Sequence, residues 1–181
     1  MTQKADLRRH WLSIRNAISK ERRKQAADAL SLFFTQYFTL INTQGFVLSF
    51  SSFGSEIEMH LLNQWLSEKK RLLLPKVEEK KLRIYQVNNL EKLIPSKFGM
   101  LEPDPTQCSQ ILFEDIQTIT ILVPGLAFDA ALHRLGYGQG HYDCLLIEIP
   151  HYSIGVAFNE QKTDRLQIDS WDISLDEVLY F

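Results

Sequence analysis

The chain has 181 residues, 45% of them hydrophobic, and a formal charge of -2; it can bury one sizeable core, and it lacks the global field that would draw it to nucleic acid or an acidic membrane. Its two cysteines, Cys108 and Cys144, lack metal-type spacing and argue against a disulfide scaffold, so both are expected as buried thiols. No apolar run approaches the ~20 residues that span a bilayer and the basic N-terminus has no apolar signal region, so the expectation is one cytoplasmic domain over residues 1–181.

Leu7, Trp11, Ile14 and Ile18 recur at helical steps, which predicts a first helix with its cations on the other faces. A second helix starts near Ser19 and turns Ala26, Leu30, Phe33, Phe34 and Tyr37 inward. GFVLSF, 45–50, is an apolar run of strand length. EIEMHLLNQWL, 56–66, returns to helical spacing through Ile57, Leu61, Trp65 and Leu66, with Ser55 as candidate N-cap. RLLLP, 71–75, and KLRIYQV, 81–87, read as strands around a charged turn. Residues 88–110, with Pro95, Pro103 and Pro105, read as a long ordered loop or crossover.

TITILVPG, 118–125, is β-branched, uncharged and apolar at consecutive positions, as suits a strand buried on both faces. HYDCLLIEI, 141–149, reads as a helix and HYSIGVAF, 151–158, as a further strand. Strands alternating with helices predict a three-layer α/β/α fold with a mostly parallel central sheet. Ligands in such folds sit beyond the carboxyl ends of strands.

Past that end of the buried strand lies RLGYGQGHYD, 134–143, which holds three of the eight glycines within five positions. Such spacing arises by chance in roughly 0.05 of chains this long, so alone it is weak. It matches neither the Walker A pattern nor the dinucleotide fingerprint. Its context says more. Glycine lets backbone N–H groups face an anion closely, a helix starting at Gly140 would add its positive end, and Arg134 could supply a charge-assisted bond. Together these describe a phosphate cradle, against the plainer alternative of a tight turn beside a surface arginine. Asp143, one turn from a bound polyphosphate, would repel it unless a cation lay between, which suggests a metal-nucleotide complex; the alternative is stabilisation of the helix N-terminus.

VPGLAFDAALHRLGYGQGHYD, 123–143, closely resembles the signature of the 5-formyltetrahydrofolate cyclo-ligases. KADLR (4–8), SEIEMHLL (55–62), LLLPKV (72–77), FGMLEP (98–103) and WDISLDEVLY (171–180) also follow the family order, so the resemblance spans nearly the whole chain. It implies ATP-dependent closure of 5-formyltetrahydrofolate to 5,10-methenyltetrahydrofolate, with ATP as co-substrate and Mg2+ as metal. By similarity, Lys4, Arg8, Arg134, Leu135, Gly136, Tyr137, Gly138, Gln139, Gly140, His141 and Tyr142 would bind ATP. Arg134 and Tyr142 would be catalytic, Glu56, Phe98 and Met100 would meet the folate, and Asp143 and Asp172 would hold Mg2+.

The residues themselves are compatible with this. Lys4 and Arg8 are an i,i+4 pair on one helical face, able to put two cations on one anion or simply to form a solvated basic face. Glu56 alone reads as a first-turn acid, and Phe98 and Met100 alone read as core. Several positions depart from the pattern. Leu132 replaces a glycine; Tyr137 and Gln139 stand where some members carry Arg or Lys; His141 replaces a tyrosine; Met59 replaces a threonine; Cys144 replaces a common arginine. None removes the arginine, the glycines or the expected metal ligands, so activity is expected. The expected partners are reduced folate and ATP, with no nucleic acid or membrane, and the chain as a monomer or weak homodimer. Two alternatives compete: a non-catalytic nucleotide- or folate-binding homologue, and an RNA-binding module resting on the basic first 24 residues.

Overall fold

The computed structural model describes residues 3–40, 45–79, 81–97, 99–116 and 119–181, with only the backbone of Gln3 and Asp115. Two helices open the chain, α1 (Gln3–Ala17) and α2 (Lys20–Leu40), followed by strand β1 (Val47–Leu48) and helix α3 (His60–Glu68). Strands β2 (Leu72–Glu78), β3 (Lys81–Gln86), β4 (Leu93–Pro95), β5 (Leu101–Pro103), β6 (Ser109–Ile111) and β7 (Ile119–Val123) come next. After them run β8 (Ala127–Asp129), β9 (Arg134–Leu135), helix α4 (His141–Glu148), β10 (His151–Ala157), β11 (Lys162–Thr163) and β12 (Glu177–Tyr180).

Seven strands form one sheet in the order β12-β10-β7-β1-β2-β3-β6. The five from β12 to β2 pair in parallel, and β3 and β6 add antiparallel strands at one edge. This is the mostly parallel α/β sheet read from the sequence. Period-two alternation sends neighbouring residues of each strand to opposite faces. Val47, Leu72, Leu74, Leu122, Ile154 and Val156 meet Leu30, Phe34 and Phe38 of α2 and Leu62 and Leu66 of α3 on one face. Leu48, Leu73, Ile121 and Val123 meet Leu145 and Leu146 of α4 on the other. Complete burial of a Leu or Phe side chain contributes about 1.5–3 kcal/mol, which is why β1 and β7, at the centre of the sheet, carry no charged residue. The described part of 118–125 is strand from Ile119 to Val123, and it lies between β10 and β1.

Several local expectations need correction. The helix read from Glu56 begins only at His60, its N-cap is Met59, and Ser55 caps nothing there. The residues before it find other partners: the Ser52 hydroxyl donates to Ile57 O at 2.7 Å and accepts from Met59 N at 2.9 Å. The Glu56 carboxylate accepts from Phe53 N at 2.9 Å, so Glu56 lies in a buried irregular turn rather than in a helix. Residues 88–110 are not a plain loop: β4 and β5 make a two-stranded ribbon and β6 extends the main sheet. Cys108 is buried but Cys144 is exposed. On α2, Phe33 stays 40% exposed while Phe38, one turn on from the buried Phe34, is buried. The predicted apolar stripe of α1 is split: Ile18, just past its end, joins the α2 face of the sheet, whereas Leu7, Trp11 and Leu12 pack on Leu126, Ala127, Leu135 and Leu166.

Candidate active site

The chain leaving β7 passes Pro124 and Gly125 and enters a small second sheet of order β11-β8-β9, at the carboxyl end of the parallel strands. Gly125 is required by packing: a Cβ there would stand 2.7 Å from the Phe128 ring, which is also wedged against Gly155. The β8–β9 hairpin is organised by Asp129, buried, whose carboxylate accepts from the backbone N–H groups of Ala131 (3.0 Å), His133 (2.9 Å) and Leu166 (3.0 Å). Leu132 sits in this turn at φ 65, the left-handed region that glycine occupies without strain. The turn therefore keeps the geometry of a glycine despite the leucine. Its other anchor is Leu132 O, which accepts from Leu175 N at 2.9 Å.

From β9 the chain enters the glycine loop, whose tip, Tyr137 to Gly140, is exposed. Gly138 and Gly140 have φ of 92 and 70, so two of the three glycines are needed by the turn itself. A Cβ on Gly138 would also stand 2.8 Å from Arg8 Cζ, because the Arg8 guanidinium lies across the loop and donates from Nε to Gly136 O at 3.0 Å. Gly136 has no such need: its φ is not left-handed, and among the described residues, its two chain neighbours aside, no atom lies within 4 Å of where its Cβ would be. Gly140 caps α4, whose first turn carries His141, Tyr142 and Asp143. Leu135 is buried under α1, Gln139 is exposed and His141 is half-buried.

Arg134 is not a surface cation. Its side chain is 5% exposed, donating from Nη2 to Asp143 Oδ1 at 2.8 Å and from Nη1 to Ile173 O at 3.1 Å. Asp143 Oδ1 also accepts from Ile173 N at 3.3 Å, which brings the start of α4 against the residue following Asp172. Lys4 donates to both Asp169 Oδ2 and Asp172 Oδ2 at 2.6 Å. Burial alone would pull its ammonium down, but these two carboxylates outweigh that and hold its pKa above the ordinary value. Burial pushes Asp172 the other way, yet the bonds from Lys4 and from Asp169 N, with the charge of Arg134, hold it below the ordinary carboxylate value. Asp169 is a site neighbour that no sequence motif singled out.

A second omission is larger. Arg15, expected on the solvated side of α1, is 1% exposed. It donates from Nε to Ser55 Oγ at 3.1 Å, from Nη1 to Gly125 O at 3.1 Å and from Nη2 to the Tyr137 hydroxyl, and lies 3.6 Å from Glu56 Oε1. The signal was present, because 4, 8 and 15 are steps of four and seven that place all three cations on one side of the helix. Burial pushes the Glu56 carboxyl above its ordinary value, and the Arg15 charge and the Phe53 N–H only partly oppose it. The Tyr142 phenol is pushed up strongly, first by burial and then by the Glu56 charge.

Met100 lies half-buried at the tip of the β4–β5 ribbon, where its carbonyl accepts from Ser96 N at 2.8 Å, and it joins none of the hydrophobic clusters of the described residues. It is thus not the core residue its type suggested, while Phe98 lies outside the described residues. Lys76, in the second half of β2, ties this ribbon to the sheet through Glu102 Oε2 at 3.5 Å and Pro103 O at 3.1 Å. A cleft of about 250 Å³ lined by Arg83, Ile84 and residues 110–114 contains none of the residues singled out above.

For a divalent cation the relevant observation is the donor set. Among the described residues no group of three His, Cys, Asp or Glu could hold a metal. Asp143 and Asp172 instead provide two carboxylates joined through the Ile173 backbone, each already facing a protein cation. That set fits Mg2+ arriving with phosphate oxygens and water, which needs one or two carboxylates, and does not fit a self-contained protein cage.

The model of the 5-formyltetrahydrofolate cyclo-ligase family matches residues 1–181. The chain is 41% identical over 66 residues to 5-formyltetrahydrofolate cyclo-ligase of Mus musculus, a stretch covering 33% of this chain and 32% of that protein. It is 30% identical over 145 residues to 5-formyltetrahydrofolate cyclo-ligase of Mycoplasma pneumoniae, covering 69% of this chain and 88% of the relative. The NMR structure of Aquifex aeolicus 5,10-methenyltetrahydrofolate synthetase matches with a TM-score of 0.82 at 31% identity, over 98% of this chain and 89% of the other.

Proposed function

The chain belongs to the 5-formyltetrahydrofolate cyclo-ligase family, and on that premise we propose that it uses ATP to close 5-formyltetrahydrofolate to 5,10-methenyltetrahydrofolate, releasing ADP and phosphate, as one cytoplasmic domain acting on these two small molecules. The observation that carries this reading is Gly136. Neither backbone conformation nor packing requires a glycine there, so what calls for a bare backbone at that position is a ligand approaching it closely.

The 5-formyl group is an amide-like carbonyl and a poor electrophile. Transfer of the γ-phosphoryl group to its oxygen makes that oxygen part of a leaving group. The nitrogen at position 10 then attacks the formyl carbon, loses its proton, and phosphate departs with the former formyl oxygen. Phosphoryl transfer asks the protein mainly for position and compensating charge. Arg8 and Lys4, on one face of α1, and Arg134 at the base of the loop supply the cations. Residues 135–142 supply backbone at the phosphates, and Tyr142 brings to the reacting group a phenol that stays protonated. Asp143 and Asp172 would hold Mg2+, which when bound contributes charge neutralisation of the phosphates. Glu56 and the 98–100 segment orient the folate, so the ring-closing attack is intramolecular, an advantage of about 7 kcal/mol or more in well-oriented cases.

The test is to mix purified protein with 5-formyltetrahydrofolate and MgATP and to follow the methenyl chromophore together with ADP. Product requiring both MgATP and folate is expected. Folded protein that binds both ligands without forming the chromophore would instead identify a non-catalytic homologue.

A further inference from the structure

Among the cations of this region, Arg15 alone has no task in the reaction above, and it is also the most deeply buried. A guanidinium at 1% exposure is costly unless every donor is satisfied. Packing α1 against the sheet needs only an apolar side chain of similar volume, which commonly serves as well as a buried ion pair. An arginine offers something else: a planar fork whose two terminal nitrogens can address two different groups at fixed geometry.

Those two groups belong to different parts of the site. Nη1 faces Glu56 Oε1 at 3.6 Å and also donates to Gly125 O at 3.1 Å. Nη2 donates to the Tyr137 hydroxyl, whose ring also lies under the guanidinium at 5.6 Å. Nε fixes the plane through Ser55 Oγ at 3.1 Å. Glu56 and Ser55 follow β1, Gly125 follows β7, and Tyr137 is in the glycine loop, so one side chain from α1 joins three separate segments.

We propose that Arg15 is a positioning residue that ties the folate-side carboxylate of Glu56 to the nucleotide loop through Tyr137, setting the carboxylate and the loop in a fixed geometry to one another. This rests on the reading that Glu56 meets the folate and that residues 134–142 meet ATP. The charged and titratable groups facing Glu56 are Arg15 of α1, Tyr137 of the loop and Tyr142 of α4. Only the arginine favours the carboxylate. Burial already raises Glu56, so loss of the guanidinium removes a charge that opposes this and moves the carboxyl further up. Tyr137 takes a position where an arginine or lysine could have met phosphate directly, and its hydroxyl instead anchors the loop to Arg15.

The proposal separates three variants by kinetics and pH profile. Tyr137→Phe removes only the loop anchor: KM for MgATP should rise about 3- to 10-fold, with KM for the folate and its acid limb unchanged. Arg15→Gln removes the charge: the acid limb of kcat/KM for the folate should move up by about one pH unit or more, and both KM values should rise. Arg15→Lys retains a charge but not the fork, so it should restore the acid limb and leave KM for MgATP raised. A purely structural role would lower the amount of folded enzyme and move none of these, and circular dichroism fixes that amount for each variant. An acid limb in Arg15→Gln matching the wild type, or an unaltered KM for MgATP in Tyr137→Phe, overturns the proposal. Calorimetry on the wild type separates the two levels: if it binds neither 5-formyltetrahydrofolate nor MgATP, the functional reading fails first and this one with it.

Discussion

Replacing Gly136 by alanine adds one methyl group where the protein itself has room for it. Among the described residues, the two chain neighbours aside, no atom lies within 4 Å of the added Cβ, and φ is outside the left-handed region. The fold should therefore keep its stability or gain up to about 1 kcal/mol from a less flexible unfolded chain. Ligand binding should respond in the opposite direction. A phosphate oxygen accepting from backbone here needs an N···O distance of about 2.9 Å, and a methyl on the same residue displaces it. Loss of one hydrogen bond to a charged group costs about 1.5–3 kcal/mol, equivalent to roughly a 10- to 100-fold weaker Kd for MgATP. Urea unfolding and a calorimetric MgATP titration on the same preparation read both numbers. Unaltered stability together with MgATP affinity within twofold of wild type would refute a phosphate cradle at this position.

Truncating either member of the Arg134–Asp143 pair should destabilise the fold by about 2 kcal/mol, less than a fully buried pair because Asp143 is 23% exposed. The double variant should lose less than the sum, and additive losses in urea would show that the pair is not coupled. Asp172 is held below its ordinary pKa, so its contribution is present above the normal carboxylate range and disappears as pH falls through the depressed value. Lys4, held above its ordinary pKa, contributes until pH rises through that raised value. Lys4→Met should remove about 1 kcal/mol at neutral pH, the scale of a partly exposed pair, and flatten the acid limb of the stability curve; an unchanged acid limb in pH-dependent unfolding would count against it. Leu132→Gly relieves a left-handed leucine, worth about 1–2 kcal/mol, while losing a partly buried side chain. Its net change should stay within about 1 kcal/mol, and a loss above about 3 kcal/mol in urea would show that no strain is stored there.

The sheet was legible because its signal is local. A run such as Ile119–Val123 is β-branched or apolar throughout and carries no charge, and it sits in the middle of the sheet. The glycine loop was legible for the same reason, since the left-handed φ of Gly138 and Gly140 is a property of residue type. What could not be read was long-range. Glu56 looked like a helix-start acid because Phe53 N and Arg15, its partners in the fold, are invisible to periodicity. Arg15 looked solvated because composition places arginines outside, and only four acceptors from three distant segments make its burial tolerable. β12 passed unnoticed: it is a short half-buried strand that exists because β10 offers it an edge.

The charges at the site explain why its parts are mutually dependent. Lys4, Arg8 and Arg134 would meet the phosphates, but Asp143, Asp169 and Asp172 lie among them, and two of the cations are engaged by these acids. A cluster this close to neutrality would attract a naked triphosphate weakly, because Lys4 and Arg134 must each divide their field between the ligand and a carboxylate at 2.6–2.8 Å. On the proposed function, a triphosphate bringing a divalent cation would reverse the balance: the same carboxylates would face positive charge, and Lys4 and Arg134 would be freed toward phosphate. Asp143 and Asp172 would thereby favour the metal complex over the free nucleotide. The same two acids hold Lys4 and Arg134 in place beside the loop, so the cations proposed to meet phosphate are already ordered there.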